Sequence, residues 1–232
     1  MEQLQKDVLA FPVKKWCVTA VLLVILALMA VRSYQRGQGR TMLVYKDSLE
    51  LVAAKVNESP LTLRQLAFYV AYEEDEVERQ AYIYNPKDTN IYWNLHANNT
   101  YIRTAARNAA IQMALHDEIF YQMAVAEEIS LSQEEEDTLA EKTREYWTEL
   151  DDYGKAERLG ISQEDIGQTM RRMAYAQKMQ YIYANTQGMD EADFDFTADA
   201  YQQFLKTQDY TIEEDVWGRV DFGNVTLTHW DK

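Results

Sequence analysis

The chain contains a single cysteine, Cys17, which excludes an internal disulfide and any cysteine-built metal centre. Three prolines and eight glycines in 232 residues are too few for a turn-rich sandwich or barrel, so long helices are expected. Histidine is scarce as well. His96, His116 and His229 lie far apart, and the run His116-Asp117-Glu118 lacks the Glu-x-x-His spacing of a bundle metal site. His116 therefore reads as a partly buried helical side chain. Nucleophile elbows, phosphate loops and zinc-protease signatures are all missing. Acidic pairs recur so often that none stands out as a general acid and base. No catalytic residue, cofactor or metal ligand is expected, and the chain reads as a non-enzyme.

Positive charge is also in short supply. The net charge is −15, yet the first 40 residues hold six basic side chains against two acidic ones, so the remainder carries −19. That surplus argues against nucleic acid, whose phosphates need lysine and arginine, and against lying on anionic lipid. Sixteen tyrosines and five tryptophans nevertheless exclude a disordered acidic tail.

One apolar run exists. Residues 16–31 (WCVTAVLLVILALMAV) are free of charge between Lys14-Lys15 and Arg32. At 1.5 Å per residue they span about 24 Å, short of the ~30 Å hydrocarbon core unless the flanking basic residues snorkel. The run reads as a transmembrane helix or signal anchor, with a cleaved signal peptide as the competing reading. Leu28 ahead of Ala30 is a poor cleavage signal. Three basic residues on each flank leave the orientation open by charge. The expected organisation is a tail over 1–15, a single membrane pass over 16–31, a linker over 32–45 and a domain over 46–232 outside the cytoplasm.

Within that domain, residues 51–56 (LVAAKV), closed by Asn57-Glu58-Ser59-Pro60, predict a strand and turn. Thr62 and Gln65 form a capping-box pattern that opens a helix to about residue 82, and Glu73-Glu74-Asp75-Glu76 reads as its solvated face. A long helix capped at Asn99 or Thr100 is expected to run to about 129 as the buried centre of the domain. Ser132 and Ser162, each followed by acidic residues, predict helix starts, reaching about 150 and 185. A short helix is expected over 198–206. Residues 216–228, with Gly223-Asn224 at their centre, predict a hairpin or bent strand that pairs with 51–56 and joins the two ends of the domain.

Candidate contact residues come from two places. Met113, Met123, Met170, Met173 and the neighbouring Phe120 lie on two predicted helices, where they fill a core or form an adaptable apolar surface. Residues 84–99 (YNPKDTNIYWNLHANN) carry Ile91, Tyr92, Trp93 and Leu95 in a stretch rich in turn formers. Such a segment either packs as a lid around Met113 and Phe120 or offers an interaction patch.

The order of segments resembles the N-terminal chaperone module of SurA/PrsA-type foldases. The resemblance covers about residues 50–187. It rests on VAAKVNESPLTL at 52–63, on the helix end Gln122-Met123-Ala124-Val125-Ala126 running into Ile129-Ser130-Leu131-Ser132, on Leu159-Gly160-Ile161-Ser162 with the acidic residues after it, and on Gln177-Lys178. Glu58 stands where that family usually has glycine, the aromatic loop is extra, and 45 residues after 187 are too few for a parvulin domain. The resemblance implies a mainly α, SurA-N-like helical domain with a small β element, without isomerase activity. Its partners would be unfolded or exported polypeptides. The rival expectation is a structural or scaffolding subunit that docks one fixed membrane or envelope partner.

Overall fold

Local chemistry sets most element boundaries in the computed structural model, which describes residues 41–228. From residue 42 onward these form one unit. Strand β1, Val52–Val56, turns through Asn57, whose φ of 52° is the left-handed region that asparagine tolerates. It returns as β2, Ser59–Thr62, in antiparallel register with Val56 opposite Ser59 and Ala54 opposite Leu61. Pro60 fits because β2 is an edge strand, where a missing N–H is tolerated. Glu58 does not share the positive φ of Asn57, so this turn does not require glycine there.

Helix α1, Leu63–Tyr84, starts from the Thr62/Gln65 capping box, with Thr62 N–H donating to Gln65 Oε1 at 2.9 Å. After it come a short helix α2, Asn90–Trp93, and a two-residue hairpin of β3, His96–Ala97, with β4, Thr100–Tyr101. The central helix α3, Ile102–Ala126, follows. Next are α4, Gln133–Asp152, α5, Lys155–Leu159, and α6, Gln163–Gln187. Both long helices open on a serine capping box, Ser132 with Glu135 and Ser162 with Asp165. Gly160 separates α5 from α6 at φ +72°, and a Cβ there would lie 2.6 Å from the Lys46 Cβ. A 3-10 turn over Glu191–Phe194, helix α7, Asp199–Leu205, strand β5, Tyr210–Ile212, and a turn of helix α8, Glu214–Trp217, follow.

Helices α3 and α6 make the most extensive contact, α1 lies against α3, and α4 against α6. Alanines at 106, 110, 114 and 124 let neighbours approach α3 closely, while Leu115, Ile119 and Phe120 fill the space between. β5 pairs antiparallel with β1, Lys55 opposite Thr211, so the sheet order is β2-β1-β5 and residues near both ends of the described unit share one sheet.

Several expectations are corrected. The transmembrane helix or signal anchor over 16–31 is not supported: that segment lies outside the described residues, and no described helix is long and apolar enough to cross a membrane. The fold class supported is accordingly a mainly helical domain, with no membrane-crossing helix among the described residues. The strand expected over 216–228 is a helical turn followed by irregular turns, and β5 just upstream is what pairs with β1. The central helix starts after Tyr101 without a side-chain cap and ends at Ala126. The acidic run of α1 is not uniformly solvated, because Glu74 is fully buried.

Candidate functional site

The methionines of α6 mark the site. Met170, Met173, Ala174, Gln177 and Tyr181 recur at three- and four-residue steps and so fall along one flank of the helix. Opposite them α4 contributes Glu134, Glu135, Thr138, Leu139 and Lys142, with Leu131 and Glu191 at the end where α4 begins and α6 finishes. The result is an open groove of about 710 Å³ with Met170 and Met173 in its wall. Tyr181, 57% exposed, stands at its lip. Side chains with several rotatable bonds and a polarisable sulfur suit such a wall, since they repack around differing apolar shapes.

The ion pairs at the groove hold α4 and α6 together. Lys178 Nζ donates to Glu135 Oε2 at 2.7 Å and to the Ser130 carbonyl at 3.0 Å. The lysine and the Ser132 capping contacts hold the Glu135 carboxyl down at about 2. Arg171 makes a bidentate contact to Glu136 at 2.7 and 2.6 Å nearby. These contacts fix the spacing of the walls.

Met173 also reaches a second, smaller pocket of about 410 Å³, shared with Met113, Phe68, Tyr72 and Phe196. His116 and Asp117 line it as well. His116 is buried, with Nδ1 2.8 Å from Asp117 Oδ1 and Nε2 2.9 Å from the Phe194 carbonyl oxygen. Tyr69 donates to the other Asp117 oxygen at 2.9 Å. Burial, with Asp117 close by, raises the Tyr69 hydroxyl well above its usual range. This chain ties α1, α3 and the 3-10 turn together around the pocket. A third cleft, about 590 Å³, lies where Arg64, Arg171 and Arg172 meet Tyr121, Val125 and Ile129. There the Arg172 guanidinium sits 4.1 Å from the Tyr121 ring centroid and pairs with Glu118.

The nine candidate contact residues therefore separate. Met113, Met170 and Met173 line the grooves. Met123 is half-buried and packs on the core. Phe120 is fully buried in an aromatic cluster with His116, Tyr183 and Phe204 at ring separations of 5.0–6.0 Å. The aromatic loop lines neither methionine groove. Trp93 is fully buried, donates Nε1–H to Glu78 Oε2 at 2.7 Å, and stacks over Gly223. Tyr92 is half-buried against Tyr84, Leu95 is half-buried, and Ile91 remains 45% exposed. Beside Ile91 in sequence, the C-terminal end of α1 leaves Tyr82, Ile83 and Tyr84 exposed, Ile83 by 77%.

Leu139, Tyr181, Tyr72 and Phe196 escape sequence reading. Tyr181 continues the spacing of Met170 and Met173 and is legible from that alone. The others depend on which helices become neighbours. Among the described residues no cluster of three or more His, Cys, Asp or Glu side chains could hold a metal ion. No family model matches the chain, and no curated protein and no solved structure matches it either.

Proposed function

We propose that the helical unit is a chaperone-like, peptide-binding module that shelters apolar polypeptide segments in the α4–α6 groove without catalysing a reaction. The open groove walled by Met170 and Met173 carries this reading. The thioether side chains of Met170 and Met173 in an open groove favour varied apolar occupants over one rigid ligand. The segment order resembling SurA/PrsA-type modules agrees with the same reading. Acidic flanks keep a loaded module dispersed through like-charge repulsion.

A decisive measurement adds the full chain to a reduced, permanently unfolded model polypeptide and follows light scattering. Suppression of aggregation by the parent, and its loss in Met170→Asp/Met173→Asp with the helical circular dichroism intact, supports the reading. A double variant as protective as the parent removes it.

The exposed cluster of Tyr82, Ile83 and Tyr84 favours a second reading, a subunit docked to one fixed partner. Cross-linking separates the two: Ile83→Asp abolishes capture of a single stoichiometric partner under the second reading and leaves client binding unchanged under the first.

A further inference from the structure

The α4–α6 groove has walls of unequal character. The α6 wall is apolar along Met170, Met173 and Ala174, with Gln177, Lys178 and Tyr181 toward its C-terminal end. The α4 wall belongs to a helix with nine acidic residues and two basic ones among its twenty. Glu134, Glu145 and Glu149 follow one another at steps of eleven and four residues, which places them within about 60° of each other around that helix. Glu134 stands in the groove wall, and Glu145 and Glu149 extend its line along the exposed side. Glu191, just past the end of α6, adds a further carboxylate at the same end of the groove as Glu134. Of the two lysines in the wall, Lys178 is engaged by Glu135 and Ser130, which leaves Lys142 to offset the carboxylates.

We infer that this groove selects amphipathic segments that pair an apolar face with a basic one, the apolar side chains lying on Met170 and Met173 and the lysines or arginines facing the α4 carboxylates. The inference rests on the peptide-binding reading and names its client class. An apolar floor supplies affinity without sequence preference, whereas Glu134 and Glu191 in the groove, with the further carboxylates of α4 beyond it, repel acidic segments and steer basic ones. The lining runs from Glu134 to Lys142 on α4 and from Met170 to Tyr181 on α6, about 12–17 Å, room for two to three turns of a helical segment laid alongside. A nucleic acid has neither the apolar face nor the positive charge that this geometry rewards.

The test uses the full chain and three labelled fifteen-residue peptides, read by fluorescence anisotropy. Two share an apolar face and differ in carrying lysine or glutamate at every polar position. The third keeps the lysines and replaces the apolar residues with serine. The expected result is binding of the apolar lysine peptide, at least tenfold weaker binding of the other two, and a narrowing of the lysine–glutamate gap at high salt. Glu134→Lys/Glu191→Lys is expected to shrink that gap at least threefold while the helical circular dichroism stays unchanged. Equal affinity for the lysine and glutamate peptides overturns the charge selection and leaves the peptide-binding reading standing. Equal affinity for the serine peptide reduces the effect to surface charge and overturns it too. Self-association of the chain that displaces the peptide assigns the groove to a second copy. Failure of every peptide to bind removes the peptide-binding reading itself.

Discussion

Glu74 and Thr226 are joined twice, by the Thr226 N–H to Oε2 at 2.7 Å and by the Thr226 hydroxyl to the same oxygen at 2.5 Å. The other oxygen accepts from Gly223 N–H at 2.6 Å and Val225 N–H at 3.1 Å. A fully buried carboxylate in α1 thus gathers the donors of a turn about 150 residues later in the chain. Burial pushes its carboxyl above the ordinary range, and the hydrogen bonds pull against that shift. Glu74→Gln puts an amide donor against these N–H groups and leaves some unsatisfied. A loss of about 2–4 kcal/mol in urea unfolding is expected. Thr226→Val removes only the hydroxyl contact and is expected to cost about 1 kcal/mol. A Gln variant as stable as the parent contradicts the role given to this carboxylate.

Trp93 depends on Gly223 in the same region. A Cβ at residue 223 would lie 2.8 Å from the Trp93 ring, and the φ of +89° disfavours any other residue. Gly223→Ala is expected to destabilise by about 2 kcal/mol or more and to shift tryptophan fluorescence as the indole is displaced. Trp93→Ala is expected to cost about 3–5 kcal/mol, the scale of a buried aromatic. Trp93→Ala melting like the parent contradicts the burial of this side chain.

These two sites also show where sequence reading stops. The starts at Thr62, Ser132 and Ser162 were legible because a capping box lies within four residues of chain. The methionine spacing on α6 was legible for the same reason. Nothing near Glu74 marks it as buried, since Glu73-Glu74-Asp75-Glu76 reads as solvated until the donors at 223–226 arrive. Residues 216–228 carry strand-forming side chains, but the backbone donors of 216–220 close helical turns, those of Gly223, Val225 and Thr226 go to Glu74, and Trp217, Val220 and Phe222 are buried from turns instead. β5 is only three residues long, too short for any periodicity to appear. The groove was half legible: α6 declares its apolar flank, but the acidic wall opposite it depends on tertiary pairing.

The β1–β2 turn gives a prediction about coupling between sheet and bundle. Asn57 Nδ2 donates to Gln122 Oε1 at 2.7 Å, and Gln122 Nε2 donates to the Val56 carbonyl at 3.1 Å, so α3 is tied to the hairpin by one side chain. Asn57→Gly keeps the left-handed turn and loses the link, and Asn57→Ala loses both. Alanine is expected to cost about 1–2 kcal/mol and glycine less than 1. Combining Gln122→Ala with Asn57→Ala is expected to cost less than the sum of the two single losses, because both remove the Asn57–Gln122 contact, although Gln122→Ala also loses the bond to the Val56 carbonyl. Fully additive losses contradict the link.

Glu73 predicts how stability varies with pH. Burial raises its carboxyl from 4.5 to about 7 in the folded chain. Between those values the folded state holds a proton that the unfolded chain has released. Unfolding free energy therefore falls as pH rises from about 4.5 to about 7, and this contribution is complete below 4.5 and absent above 7. Glu74, also shifted upward, acts with the same sign. Glu135, held at about 2, acts oppositely, but its contribution disappears only in far more acidic solution. The full shift at Glu73 corresponds to about 3 kcal/mol, and solvent at this half-buried side chain reduces the expected change to about 1–2 kcal/mol. Glu73→Gln cannot titrate, so its urea midpoint is expected to vary less between pH 5 and pH 7.5 than that of the parent. Parallel curves for the two proteins across that range would show that Glu73 does not hold its proton in the folded state.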